Sequence, residues 1–165
     1  MGAPSGSDGD VAKMLPASPA RYPRQVPDLL IATDSSFAYD EVRAAVEEPG
    51  MTLRWARSGR AVVAALQDQP ADLVVADLQI GSMGGYAVAM DVALEAGAGR
   101  LAPTPVILLL DRRADVFYAK RVGVAGWLLK PLDPLRTRAG VQAVLDGGTY
   151  YDTTFAPVPA DVLPA

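Results

Sequence analysis

Three stretches of consecutive apolar residues constrain the fold of this chain more than any other feature of its sequence. They are LLIA at 29–32, LVVA at 73–76 and VILLL at 106–110. A strand with one face in solvent alternates apolar and polar residues, whereas an uninterrupted apolar run indicates a strand that is buried on both faces. The sequence therefore predicts a parallel sheet that helices cover on each side.

Amphipathic stretches with helical spacing separate these strands. SSFAYDEVRAAVEE at 35–48, for example, places its apolar residues on one helix face, after a serine that can act as N-cap. The pattern predicts five βα units, whose strands are DLLIAT at 28–33, MTLRWAR at 51–57, DLVVAD at 72–77, PVILLL at 105–110 and GWLLK at 126–130. Right-handed crossovers then predict an α/β fold with a single doubly wound, five-stranded parallel sheet in the order 2-1-3-4-5, which is the flavodoxin-like arrangement.

Capping residues predict where the helices begin and end. Ser58 precedes the second helix, and the third is expected from about Tyr86 to Ala96, after a loop that contains glycines. The last helix has Asp133 as its N-cap and Pro134 at its first position, with Gly147 beyond its end.

Both ends of the chain differ in composition from its centre. Residues 1–26 are rich in Gly, Pro, Ser and Ala and show no periodicity, and residues 153–165 contain three prolines. Such segments bury too little apolar surface to offset the entropy lost on ordering. We therefore expect a flexible leader at 1–26, one folded domain at 27–152 and a flexible proline-rich tail at 153–165.

Composition excludes several classes of function. The chain has no cysteine and no histidine, which removes disulfides, thiolate metal sites and catalysis by Ser-His-Asp or Cys-His arrangements. A net charge of -4 without a long Lys/Arg run argues against binding to nucleic acid. The sequence has neither a signal peptide nor an apolar stretch as long as a membrane span, so we expect a cytoplasmic protein with no membrane partner.

Charged residues collect where the predicted strands end. Asp34 follows the first strand, Asp77 ends the third and Lys130 follows the fifth. Ligands of a doubly wound sheet bind at the carboxyl ends of the strands, where the strand order reverses. Two neighbouring carboxylates repel each other unless a cation joins them, and Mg²⁺ suits a site of carboxylates, a backbone carbonyl and waters. The lysine adds a positive charge for a phosphoryl group.

Two motifs give the sequence a resemblance to a known family. DLQIGSMGG, which starts at Asp77, and GVAGWLLKP, which contains Lys130, are similar to the third-strand and fifth-strand signatures of the receiver domain of bacterial two-component response regulators. The resemblance covers roughly residues 27–150. It implies that Asp77 accepts a phosphoryl group from the histidine of a partner kinase and that Lys130 contacts this group. It also implies that Asp34, Asp77 and the backbone carbonyl of Gln79 hold Mg²⁺.

Five positions depart from the pattern of that family. Gly81 replaces a loop proline and Gly84 stands where an Asp is common, which suggests a more pliable site, and the other three bear on the metal site and the switch. Thr33 stands where the first of two acids is usual, which predicts a weaker magnesium site than is typical. Leu110 stands where a Ser or Thr hydroxyl usually contacts the phosphoryl group, and a leucine cannot donate a hydrogen bond. Trp127 replaces a smaller switch aromatic on the fifth strand. These departures put in doubt the usual coupling from the phosphoryl group to the surface around strands 4 and 5.

The resemblance implies a stand-alone response regulator that is phosphorylated at Asp77 and acts through another protein. It would not be an enzyme beyond catalysing its own phosphoryl transfer and dephosphorylation. Its partners would be a histidine kinase or phosphotransfer protein and an unknown downstream protein. The oligomeric state, including a homodimer, stays open.

Two alternatives belong to other functional classes. One is a pseudo-receiver, an interaction scaffold that keeps the fold and works without phosphorylation, which Leu110 and Thr33 favour. The other is a flavodoxin-like binder of a nucleotide or flavin. That alternative is disfavoured because ATDSSFAYD, the first turn between strand and helix, has no glycine to let a phosphate approach the backbone.

Overall fold

Strands and helices alternate along the chain, as the sequence predicts. The computed structural model describes residues 26–154. The elements are β1 (Asp28–Ala32), α1 (Ser36–Val46), β2 (Thr52–Ala56), α2 (Gly59–Asp68), β3 (Leu73–Asp77), α3 (Gly84–Gly97), β4 (Val106–Leu110), α4 (Val116–Val122), β5 (Gly126–Leu129), α5 (Pro134–Leu145) and β6 (Tyr150–Tyr151), with a 3-10 turn at Arg113–Asp115. The leader proposed at 1–26 and the tail proposed at 153–165 lie outside these described residues, apart from Val26, Thr153 and Thr154.

The strands form one parallel sheet in the order β2-β1-β3-β4-β5-β6. This confirms the predicted order 2-1-3-4-5 and adds a sixth, short strand. Every residue of β1, β3, β4 and β5 is buried, whereas β2 is mostly half-buried at one edge of the sheet. The uninterrupted apolar runs are thus inner strands. The run MTLRWAR at 51–57, in which apolar and polar residues alternate, contains the edge strand β2.

The core consists of two layers because successive residues of a strand point to opposite faces of the sheet. Leu30, Val74 and Leu108 pack in one cluster with apolar residues of α2 and α3. Leu29 and Leu109 pack in the other, with apolar residues of α1 and α5. Both faces of the sheet are therefore covered, and its carboxyl ends stay open to carry a site. None of the helices between residues 26 and 154 has the length and hydrophobicity that crossing a bilayer requires.

Side-chain caps begin two of the helices. Ser35 Oγ accepts a hydrogen bond from the Ala38 backbone N–H at the start of α1, and Asp133 caps α5 in the same way, as predicted. Ser58 occupies the N-cap of α2, but its side chain makes no capping hydrogen bond.

This difference between the two serines gives a matched test. Ser35→Ala is expected to lower the free energy of unfolding by about 1 kcal/mol, since it leaves an N–H of the first turn without its partner. Ser58→Ala is expected to cost clearly less. Urea denaturation of both variants checks the prediction, and equal losses would contradict it.

The third helix begins at Gly84, two residues before the predicted start at Tyr86. Gly84 has a φ of +74°, a conformation that glycine adopts without strain. A Cβ on Gly85 would lie 2.7 Å from the Asp77 carbonyl oxygen, so only glycine fits there. The glycine pair therefore belongs to the packing of the helix start against the end of β3, rather than to a loose turn.

Strand β6 was not predicted. Tyr150 pairs with Gly126 and Tyr151 with Trp127, which extends the sheet beyond β5. The approach is close, because a Cβ on Gly126 would lie 2.5 Å from the Tyr150 carbonyl oxygen, and one on Gly140 would lie 2.9 Å from the Tyr150 ring. Glycines at these two positions make room for the added strand.

A buried carboxylate fixes the chain beyond β6. Asp152 Oδ2 accepts hydrogen bonds from the Leu129 backbone N–H at 3.0 Å and from Arg136 Nη1 at 2.6 Å. Burial by itself would raise the pKa of Asp152, but hydrogen bonds from Thr154 and Leu129 and the charge of Arg136 lower it below the ordinary value. The aspartate is thus held as a carboxylate that links β5, α5 and the last described residues.

Candidate functional site

Asp77 lies at the centre of a cluster of polar groups at the carboxyl ends of the strands. It is the last residue of β3 and only 3% exposed. Its Oδ1 accepts hydrogen bonds from Lys130 Nζ at 2.7 Å and from the Gln79 backbone N–H at 3.1 Å. Its Oδ2 accepts one from Thr33 Oγ1 at 3.0 Å. The carboxylate is therefore held in one orientation by groups from three segments of the chain.

Lys130 supplies the positive charge of this cluster. It follows β5, and its Nζ also lies 3.1 Å from Asp111 Oδ1. Burial alone would lower the pKa of Lys130, but the hydrogen bonds and charges of Asp77 and Asp111 outweigh it and raise the pKa above the ordinary value. The lysine is thus an ammonium group between two carboxylates. The bond between Lys130 and Pro131 is cis.

Asp34 lies on the solvent side of the same end of the sheet. Its side chain is exposed, and Oδ2 accepts a hydrogen bond from the Gly81 backbone N–H at 3.1 Å. Gly81 belongs to the loop that follows Asp77, and its carbonyl accepts a hydrogen bond from the Gly59 N–H at 3.1 Å. The loop after β3 is thereby tied both to the turn after β1 and to the start of α2.

The oxygen donors at this end of the sheet suit a hard divalent cation. Mg²⁺ commonly binds to one or two protein carboxylates and keeps several waters. Asp34, Asp77 and the Gln79 carbonyl offer this donor set, and among residues 26–154 no hydrogen bond occupies Asp34 Oδ1. The described part of the chain contains no cluster of three acidic residues that would bind a cation more fully. The chemistry of these oxygen donors is of the kind that Mg²⁺ accepts, and a cation bound here would have few protein ligands.

Within residues 26–154, no side-chain hydrogen bond joins either of the two predicted switch positions to Asp77. Leu110 is fully buried in the core at the end of β4. Trp127 is 5% exposed, its indole N–H donates to the Asp152 carbonyl at 3.2 Å, and its ring centroid lies 4.3 Å from that of Tyr151. Within the described residues, neither side chain donates a hydrogen bond toward the carboxylate of β3.

Sequence reasoning missed two members of the cluster. Thr33 was considered only as the loss of an acid, yet its hydroxyl binds Asp77 directly. Asp111 follows β4, and its Oδ1 accepts a hydrogen bond from Lys130. The available signal was position, because both residues follow buried strands at the same edge of the sheet as Asp77.

Similarity to known proteins extends over most of the chain. The family model for the response regulator receiver domain matches residues 29–142. Protein PilH of Pseudomonas aeruginosa is 25% identical over 119 residues, which cover 72% of this chain and 98% of PilH. The two-component response regulator PprB of the same organism is 28% identical over 115 residues, which cover 69% of this chain but only 42% of PprB.

A solved structure shares the fold. The chemotaxis response regulator CheY4 of Vibrio cholerae superposes with a TM-score of 0.61 and 23% identity, over 73% of this chain and 98% of that chain. At this identity the likeness shows the arrangement of strands and helices alone. The residues that the family model matches include Asp34, Asp77 and Lys130.

Proposed function

Since the chain belongs to the family of response regulator receiver domains, which are signalling domains rather than classical enzymes, we propose that it is a phosphoryl acceptor. In this proposal Asp77 receives a phosphoryl group from a histidine of a partner kinase or phosphotransfer protein. The observation that carries it is the 2.7 Å contact between the buried Asp77 carboxylate and the ammonium group of Lys130. A fixed anion beside a fixed cation is the arrangement that phosphoryl transfer to a carboxylate needs.

The transfer is a displacement at the phosphorus atom. A carboxylate oxygen of Asp77 forms a bond to the phosphorus atom, and the bond from phosphorus to the histidine nitrogen of the partner breaks. The electron pair of the broken bond stays on that nitrogen. Negative charge then lies on the phosphoryl oxygens within reach of the Lys130 ammonium, which stabilises it.

Mg²⁺ would be held by Asp34, Asp77 and the Gln79 carbonyl. When bound, it would neutralise charge on the phosphoryl oxygens and help to orient them. Thr33 replaces one of the acids usual in this family, so we expect weaker binding of the cation than is typical. Asp34 would hold both the cation and the loop after β3, through its contact with Gly81.

The chain would consist of a receiver domain that acts through other proteins. Residues 27–152 would be the receiver domain. Output would pass through a downstream protein and not through nucleic acid, and the location would be cytoplasmic, where a partner kinase presents its phosphohistidine. Homodimerisation stays an open alternative for the same output.

The test is the intact mass of the full chain after incubation with acetyl phosphate. We expect a gain of one phosphoryl group in the presence of Mg²⁺ and little gain when EDTA removes the cation. Borohydride reduces an acyl phosphate, so peptide mass analysis after reduction should place the modification at Asp77. Modification at another residue would contradict the assignment of the site.

No gain in mass with Mg²⁺ present would favour the second candidate, a pseudo-receiver that binds its partner independently of phosphorylation. Two observations support this candidate. The side chain of Leu110 has no polar group to contact a phosphoryl oxygen, and Trp127 contacts Asp152 and Tyr151.

A further inference from the structure

Thr33 connects the centre of the site to neighbouring segments of the chain. Its side chain is fully buried, and its hydroxyl donates to Asp77 Oδ2 at 3.0 Å while accepting from the Ser35 backbone N–H at 3.1 Å. Its carbonyl accepts a hydrogen bond from Trp55 Nε1 at 2.7 Å. One residue thus contacts the carboxylate, the cap of α1 and a side chain of β2.

Trp55 belongs to a half-exposed group that we call the β2 aromatic cluster, formed by Tyr39, Trp55 and Arg57. The rings of Tyr39 and Trp55 stack with centroids 4.2 Å apart and planes 13° from parallel. The guanidinium carbon of Arg57 lies 4.4 Å from the centroid of the Trp55 ring. The guanidinium group and the stacked ring fix the position of the indole. A movement of the Thr33 carbonyl would therefore change the environment of the Trp55 ring and of the residues packed on it.

Phosphorylation would change what the Thr33 hydroxyl contacts. A carboxylate oxygen is a strong acceptor because it carries charge, and an acyl phosphate moves that charge onto the phosphoryl oxygens. The hydroxyl must then turn toward a phosphoryl oxygen or lose a charged acceptor. Either change alters a fully buried residue whose carbonyl is bonded to Trp55.

The two predicted switch residues on β4 and β5 offer no equivalent path. Leu110 cannot form a hydrogen bond through its side chain, and the indole of Trp127 is bonded to the Asp152 carbonyl and packed on Tyr151. A signal that begins at Asp77 therefore has a hydrogen-bonded connection toward β1 and β2, through Thr33, and none through the side chains of these two residues of β4 and β5.

We infer that Thr33 is a positioning residue of the acceptor site and that it couples the state of Asp77 to the β2 aromatic cluster. The inference rests on the proposed function. Thr33 would then have the role that a Ser or Thr hydroxyl on β4 usually has in this family. The surface that responds to phosphorylation would lie on the side of the sheet where Trp55 lies.

Fluorine NMR of the full chain labelled with fluorotryptophan tests the inference, because the chain has 2 tryptophans and therefore two signals. Trp55→Phe and Trp127→Phe assign them. On addition of Mg²⁺ and acetyl phosphate, a second, shifted Trp55 signal is expected to appear, with an intensity in proportion to the adduct measured by mass in the same sample. The Trp127 signal is expected to stay in place.

Two substitutions at Thr33 separate its hydroxyl from its volume. Thr33→Val has nearly the same shape without the hydroxyl, and we expect uptake about tenfold slower, equivalent to one hydrogen bond to a charged group. At equal adduct occupancy, the Trp55 shift is expected to be lost in this variant. Thr33→Ser keeps the hydroxyl and should retain both the rate and the shift, which a merely structural role for Thr33 would not predict.

The outcomes distinguish this inference from the proposed function. An adduct without a Trp55 shift, or with a shift of Trp127 alone, would overturn the role of Thr33 and leave the phosphoryl acceptor intact. A Trp55 shift that persists unchanged in Thr33→Val would overturn it as well. No adduct in the unmutated chain would overturn the proposed function, and the inference with it.

Discussion

An Asp77→Asn variant is expected to take up no phosphoryl group from acetyl phosphate. The amide oxygen of asparagine carries no charge and is a poor nucleophile, so the bond to phosphorus cannot form at a useful rate. The change preserves volume, and the amide oxygen can still accept from Lys130 or Thr33. Loss of uptake would therefore report loss of the nucleophile and not collapse of the site. A time course of intact mass in the presence of Mg²⁺ measures it.

Asp111→Asn is the matched control, since Asp111 also contacts Lys130 Nζ and lies at the same end of the sheet. It is more exposed than Asp77, and exposed ion pairs contribute little free energy. We expect its rate of uptake to stay within about fivefold of the unmutated chain, the equivalent of at most about 1 kcal/mol. Uptake by Asp77→Asn at the rate of Asp111→Asn would mean that the acceptor is another residue.

The second large effect is expected on stability, from Asp152→Asn. The carboxylate of Asp152 accepts hydrogen bonds from Leu129 and Arg136 at Oδ2 and from the Thr154 backbone N–H at Oδ1. The amide group of asparagine has only one oxygen, so its NH₂ group would face the donors of one of these two positions. Hydrogen bonds to a buried charged group contribute about 1.5 to 3 kcal/mol. We therefore expect the free energy of unfolding at pH 7 to fall by about 2 to 3 kcal/mol. Urea denaturation measures the loss, with exposed Asp68→Asn as a control expected to change stability by less than about 0.5 kcal/mol.

The stability difference should also depend on pH, and its sign follows from the lowered pKa of Asp152. A carboxyl group with a lower pKa in the folded state stabilises the fold above its unfolded pKa, which is about 3.9. This contribution is lost as the pH falls through the folded value. The unmutated chain and Asp152→Asn should thus converge in stability in acid. A difference of the same size at pH 3 and pH 7 would contradict the role of the charge.

Most of the fold could be predicted because its signals are local. Consecutive apolar residues identified β1, β3 and β4, and Asp133 identified the start of α5, whereas the first cap was narrowed only to Ser35 or Ser36. Strand β6 could not be predicted in this way. It has only two residues, and its position depends on the space that two distant glycines leave for Tyr150.

The sequence predicts where the candidate site lies but not which hydrogen bonds join its residues. Strand ends brought Asp34, Asp77 and Lys130 to one edge from the topology alone. The hydrogen bond of Thr33 to Asp77 could not be predicted, since it depends on the orientation of a side chain after a different strand. The family pattern indicates which acid Thr33 replaces, but it carries no information on the contact that the Thr33 hydroxyl makes.

Strand β6 also determines what the sheet can pair with. An uncovered edge strand presents unpaired N–H and C=O groups, to which a segment of another protein can add as a further strand. Tyr150 and Tyr151 occupy that position along β5, and a strand of two residues is too short to serve as a template itself. Within residues 26–154, a protein that binds beside β5 therefore meets Tyr150 and Tyr151 instead of a free strand edge, and β2 is the longer of the two strands at the edges of this sheet.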